Sequence, residues 1–153
     1  MPQCLEFGRS GKMKKTIVIK GRPALAGIAE GYAMVCPNSI QGWAGIDPRS
    51  GKILEKGHVH EGETYDGKIL VVPCSRGSCG WSCQFHGPMD NLNMRPAGWV
   101  VTQIDSKIGT AAVIINRPMV ADFVDVDPCE VIRDGDYVVV NGDDGTVTIT
   151  REE

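Results

Sequence analysis

Apolar residues along this chain gather in short runs separated by turn-forming residues, with few long helical stretches. Thr16–Lys20, Gly31–Cys36, Lys68–Val72, Ala97–Thr102, Met119–Val124, Tyr137–Asn141 and Thr146–Thr150 are rich in Val and Ile, and each has the length of one strand. Asn141-Gly142-Asp143-Asp144-Gly145 predicts a hairpin between the last two, and Asp134-Gly135-Asp136 a turn before it. Two helices are expected. One spans about Ser106 to Ile114, capped by Asp105. The other follows Ser78, but Gly87-Pro88 should break it, because an internal proline loses an N–H and clashes with the preceding turn. The pattern predicts a strand-rich α/β domain with a mixed sheet.

The length of 153 residues suits one domain with its own core. Met1–Lys12 has no periodicity and reads as a detached leader or tag, so the domain is assigned to 13–153. The formal net charge is −3 and no basic run interrupts the body of the chain, which disfavours a nucleic-acid partner. No apolar stretch is long enough to span a bilayer, and no signal-peptide pattern opens the chain, so the expected address is cytoplasmic.

Pro73-Cys74-Ser75-Arg76-Gly77-Ser78-Cys79-Gly80 carries the candidate chemistry. It directly follows the buried-strand run Lys68–Val72. A strand ending in a turn of small residues offers backbone N–H groups and a hydroxyl to whatever lies above the sheet edge. Such a turn can hold a carboxylate or phosphate, or stabilise a deprotonated serine. It can equally be a ligand-free connection. Six cysteines include the cluster Cys74, Cys79 and Cys83, whose spacing matches no zinc ribbon. These three are either small apolar residues of a reducing compartment or a metal or redox centre. The long stretch from Pro37 to Ile53, with the turn Asp47-Pro48-Arg49-Ser50-Gly51, is of the length that usually serves function. His58, just beyond it, is expected at the surface or at a strand end. Trp43, Trp81 and Phe85, if exposed beside the glycine turn, would form an apolar interface patch.

The series Gly27…Gly31, Ser39…Gly42…Gly45-Ile46-Asp47-Pro48…Gly51-Lys52-Ile53, His58, Gly67-Lys68-Ile69-Leu70-Val71-Val72-Pro73…Arg76-Gly77-Ser78 resembles the small, swivelling subunit of aconitase X. The likeness runs on through Arg95-Pro96-Ala97 and Gly109-Thr110-Ala111 to the final hairpin. The resemblance implies a swivelling β/β/α domain of aconitase type. It implies one half of an iron–sulfur hydro-lyase that dehydrates a small hydroxy acid such as mevalonate 5-phosphate or cis-3-hydroxyproline. Ser78 would be the base, with Arg76, Gly77, Cys79, Ser39 and Asp47 near the substrate. The iron–sulfur cluster would be held by a large-subunit partner, with no metal on this chain, and the chain alone would be inactive. The chain departs from the family pattern at Cys79, where a second serine is usual, and at Trp81, where a small residue is usual. Two other readings stay open: a metal or redox module built on the clustered cysteines, and a non-catalytic regulatory subunit of the same fold.

Overall fold

The computed structural model describes the backbone of residues 3–7 and the whole of residues 13–153. Among the described residues nine strands and three α-helices follow one another. They are β1 (Gln3–Phe7), β2 (Met13–Lys20), β3 (Arg22–Leu25), β4 (Ile28–Val35), β5 (Ile69–Val72), α1 (Cys83–Leu92), β6 (Gly98–Val101), α2 (Ser106–Ile115), β7 (Met119–Ala121), α3 (Pro128–Val131), β8 (Tyr137–Asn141) and β9 (Thr146–Glu152). The strand order is β1-β2-β9-β8-β4-β5-β6-β7-β3, a mixed sheet as expected.

Strand β4 is the pivot of the architecture. Its first half, Ile28–Tyr32, pairs antiparallel with β8, and its second half, Ala33–Val35, pairs parallel with β5. One half of the sheet is therefore antiparallel (β1, β2, β9, β8) and the other parallel (β4 to β7), with β3 antiparallel on the far edge. The composition of the strands follows from this. Strands β5, β6 and β7 are buried on both faces and read as unbroken apolar runs, whereas β8 and β9 alternate in burial, and β9 alternates in sequence as well.

Alternate residues of the parallel strands feed two cores. Leu70, Val72, Trp99, Val101 and Met119 face the helices and the 37–66 loop, where Ile40, Ile53, Trp81, Phe85, Ile108 and Ile115 meet them. Ile69, Val71, Val100 and Val120 face Ile17, Ile19, Val138, Val140, Val147 and Ile149 of the antiparallel half. The result is three layers: helices and loop, parallel sheet, antiparallel sheet. On the last layer Arg151 points inward with its side chain 9 % exposed and forms a paired ion bridge to Asp136, at 2.6 and 2.9 Å. It also donates to the Val131 carbonyl at 2.8 Å.

Helix α2 forms as the sequence predicts. Asp105 accepts the Lys107 and Ile108 amides at 3.0 Å each, and Ile108, Ala111, Ala112 and Ile115 make one buried stripe. Helix α1 departs from expectation, because it runs through Pro88 to Leu92 and ends on left-handed Asn93. Trp81 and Phe85 are fully buried, with ring centroids 4.8 Å apart, and Phe85 meets Trp99 edge to face at 5.1 Å. Burying two such side chains contributes roughly 1.5–3 kcal/mol each, comparable with the ~3 kcal/mol cost of an internal proline. Trp81 and Phe85 are thus core and leave Trp43, 73 % exposed, alone of the three on the surface. Gln3–Phe7, which the sequence reading set aside with the leader, pairs with β2, while 1–2 and 8–12 lie outside the described residues.

Candidate active site

The parallel order places the carboxyl ends of β4, β5, β6 and β7 along one rim, and four loops leave the sheet there. Ligands of open α/β sheets bind at this end. The Cys74–Ser78 turn follows β5 and is tied to its neighbours on both sides. After β4, Ser39 is buried, with its backbone at φ 62°, and its Oγ donates to the Cys74 carbonyl at 2.6 Å. After β6, Asp105 Oδ2 accepts both the backbone N–H and the hydroxyl of Ser75, at 2.8 and 2.7 Å. Burial pushes the Asp105 carboxyl up, but the amides of Ile108, Ser75 and Lys107 and the Ser75 hydroxyl outweigh it and hold the group below its ordinary range. One carboxylate therefore caps α2 and pins the turn.

Two glycines shape the turn itself. Gly77 adopts φ 81°, a conformation unfavourable to side chains. Gly42 lies flat against the turn: a Cβ there would stand 2.7 Å from the Arg76 carbonyl oxygen and 2.8 Å from the Ser78 nitrogen. Gln41 and Arg76 form a parallel bridge beside this contact.

Ser78 caps a single 3-10 turn, Cys79–Trp81, with extended backbone (φ −59°, ψ 150°). The side chain is half-buried, and the Gly80 amide donates to its Oγ at 3.1 Å. That oxygen accepts an N–H, so its own proton is free to point outward. Lys107 donates to the Gly77 carbonyl at 2.6 Å, fixing a cation one residue upstream of Ser78. Arg76 is exposed and paired with Glu55, whose other oxygen accepts the Gln41 amide at 2.9 Å. Burial raises the Glu55 carboxyl, but the Arg76 hydrogen bond, the Gln41 amide and the Arg76 charge leave it depressed. Beyond this pair opens a cleft of about 460 Å³ lined by Pro37, Asn38, Lys56, His58 and Arg76 among others.

The expected site residues divide accordingly. Arg76, Gly77, Ser78, Cys79 and the Ser39 loop share the rim. Asp47 does not join them. It accepts the Arg49 amide and the Ser50 hydroxyl of its own turn, at 2.9 and 2.8 Å, and the Pro48 carbonyl takes a 3.4 Å hydrogen bond from Asn91, near the far end of α1. Gln84 holds the start of this loop by accepting the Gly45 and Ile46 amides at 2.7 and 3.1 Å and donating to the Gln41 carbonyl. His58 is an internal strut. Its Nδ1 accepts the His60 amide at 2.9 Å, so its Nε2 donates to the Ser39 carbonyl at 2.8 Å. Cys36 is buried, its thiol pushed up to about 12 by desolvation, whereas Cys79 and Cys83 are exposed, which does not suit the first of the two readings of the cysteine cluster, small buried apolar residues. Among the described residues no group of three His, Cys, Asp or Glu side chains is placed to hold a metal ion.

Residues 18–149 match the family model described as the aconitase X swivel domain. The chain belongs to this family. The aconitase X swivel domain here is 32 % identical over 136 residues to the phosphomevalonate dehydratase small subunit of Methanosarcina mazei, covering 89 % of this chain and 93 % of that one. It is 36 % identical over 67 residues to the cis-3-hydroxy-L-proline dehydratase of Pseudomonas aeruginosa, covering 44 % of this chain and 12 % of that one. The crystal structure of Thermococcus kodakaraensis aconitase X in its holo-form superposes with a TM-score of 0.77 at 30 % identity, over 87 % of this swivel domain and 98 % of that chain. Sequence reasoning missed Lys107 and Glu55 as neighbours of the swivel domain's serine turn. The only signal for Lys107 was the strand order: once β6 lies beside β5, the residues after β6 must meet those after β5.

Proposed function

We propose that this chain is the small subunit of an iron–sulfur hydro-lyase, in which Ser78 removes the proton alpha to the carboxylate of a small hydroxy acid. What carries the reading is the half-buried Ser78 Oγ at the rim, taking the Gly80 amide at 3.1 Å with the Lys107 ammonium anchored one residue away. A serine is a poor base in water. It becomes one where fixed N–H dipoles and cations stabilise the alkoxide in a cleft from which water is excluded. The Gly80 amide strengthens its bond as negative charge grows on Oγ. Lys107 lowers the cost of that charge, and Arg76, once released from Glu55, holds a substrate carboxylate or phosphate. The hydroxyl proton of Ser78 leaves to solvent before the site closes, so that Oγ is the alkoxide when it meets substrate, and after the transfer the substrate's alpha proton sits on Oγ in its place.

The departing hydroxyl needs a Lewis acid, which a cluster iron with an open coordination position supplies when bound. The described residues of this chain fit no cluster of their own, so the reading assigns that group to a large-subunit partner. Exposed Trp43, next to Gly42, belongs to the face that this partner covers. A site split between two bodies opens for substrate and closes for reaction. Mevalonate 5-phosphate is the first substrate to test, since the relatives matched over nearly the whole chain are named for it. No described helix is long and apolar enough to cross a membrane, in keeping with a cytoplasmic enzyme.

The test is co-expression with an aconitase X-type large subunit, with and without Ser78→Ala. The expected result is assembly in both cases and dehydration only with Ser78. Undiminished turnover by the variant, or a wild-type chain that binds no such partner, refutes the proposal.

A further inference from the structure

We propose that Cys79 and Cys83 are a redox-active thiol pair, a modification site beside Ser78 whose oxidation to a disulfide distorts the serine turn. Both side chains are exposed, while Cys36 is buried and Cys74 and Cys129 are half-buried. They lie four residues apart across the junction of the 3-10 turn with α1. Ser82 at that junction has helical backbone (φ −67°, ψ −33°), so the chain coils continuously from Cys79 into the helix. Trp81 and Phe85 show what this spacing does here. They too are four apart across the same junction, and their rings lie side by side at 4.8 Å, both fully buried. Cys79 and Cys83 each lie two residues before one member of this buried pair and are both exposed, which puts them on the solvent side of the same coil.

Residues four apart on a helix have Cβ atoms roughly 5–6 Å apart, and a disulfide needs about 3.5–4.5 Å. Closing the bond must therefore draw Cys79 toward α1 by about 1–2 Å. The mixed 3-10 and α junction is where the backbone can yield. Ser78 cannot stay behind, because it is bonded to Cys79 and its Oγ holds the Gly80 amide. Buried Cys36 and half-buried Cys129 do not compete: desolvation pushes their thiols up to about 12 and about 11.

With hydrogen peroxide as the oxidant, the Cys79 sulfur attacks one peroxide oxygen. An S–O bond forms, the O–O bond breaks, and the leaving hydroxide takes the thiol proton to give water. The Cys83 sulfur then attacks the sulfenic sulfur. The S–S bond forms, the S–O bond breaks, and a second water leaves. The thiols have lost two electrons and two protons, and the peroxide has gained them.

The thiol chemistry stands independently of the role proposed for Ser78, and only its effect on turnover rests on that role. The experiment treats the full chain with hydrogen peroxide and maps its peptides by mass spectrometry. The expected product is a Cys79–Cys83 bridge, lighter by two hydrogen atoms and reversed by dithiothreitol. In Cys83→Ser, oxidation should stop at a Cys79 sulfenic acid that dimedone traps. Pairing of either residue with Cys74 or with a second chain, or both left reduced, overturns the proposal. Reassembly of the oxidised chain with fresh large subunit should give about 10-fold lower turnover or less, as expected for a misplaced reacting group, restored by dithiothreitol. Full turnover from the bridged chain overturns the coupling to the turn. Ser78→Ala separates this from a wrong base assignment, since that variant would then turn over when reduced.

Discussion

Gly42→Ala probes the contact that sets the position of Ser78. The added methyl would meet three backbone atoms, the Arg76 oxygen at 2.7 Å, the Ser78 nitrogen at 2.8 Å and the Ser78 oxygen at 2.9 Å. None is the end of a flexible side chain. Reaching ordinary contact beyond 3.4 Å requires the two loops to separate by roughly 0.5–0.7 Å, the kind of overpacking that costs about 1–3 kcal/mol. The turn is pinned on its other side by Asp105 and Lys107, so the strain falls on the 39–42 loop and on Ser78 together. Stability read by urea denaturation should fall within that range. Displacing a catalytic group by a fraction of an ångström should lower kcat by roughly 10- to 100-fold in the assembled enzyme, with KM changed less. Gly45→Ala, a control in the same loop that would crowd the Gln41 carbonyl at 2.3 Å instead, should destabilise with a smaller effect on kcat per kcal/mol lost. Normal turnover in Gly42→Ala at reduced stability would refute the claim that this contact positions the serine.

Asp105→Ala removes a helix cap and both anchors of Ser75, and should cost about 1–2 kcal/mol in urea denaturation while loosening the serine turn. Asp47, Glu55, Asp105 and Asp122 all have carboxyls held below their ordinary range in the fold. The stability they add is complete above the unfolded values near pH 4 and is lost as pH falls through the lower folded ones. Urea midpoints should therefore be flat above about pH 5 and fall steeply below about pH 4, with a shallower acid limb in Asp105→Ala; a midpoint that rises on acidification contradicts this. Arg151→Met leaves Asp136 buried without its partner and should cost about 3–5 kcal/mol by thermal or urea unfolding, without altering the Ser78 turn.

Strands were legible wherever one rule dominated. Tyr137–Asn141 and the hairpin that follows combine a Val-rich run with turn residues whose side chains cap the bend: Asn141 Oδ1 takes the Asp143 amide at 3.0 Å. Arg22–Leu25 was not legible, because a four-residue edge strand containing Pro23 has neither alternation nor length. Helix α1 runs past the expected break because local propensity counts the proline and not the aromatic burial that offsets it. At the site, the glycines and Ser78 could be read from a strand running into a small-residue turn. Asp47 stands with them only through the family resemblance of its loop, and its carboxylate satisfies its own turn. Glu55 and Lys107 come from segments 23 residues before and 29 after Ser78, and only the sheet order brings them there.

The most direct measurement is exchange of the substrate's alpha hydrogen with deuterated water, followed by NMR in the assembled enzyme before net dehydration. The account predicts exchange with Ser78 and its loss, by about 1,000-fold or more as for removal of a general base, in a Ser78→Ala complex that still binds substrate. Exchange continuing at the wild-type rate without that hydroxyl would assign the proton to another group.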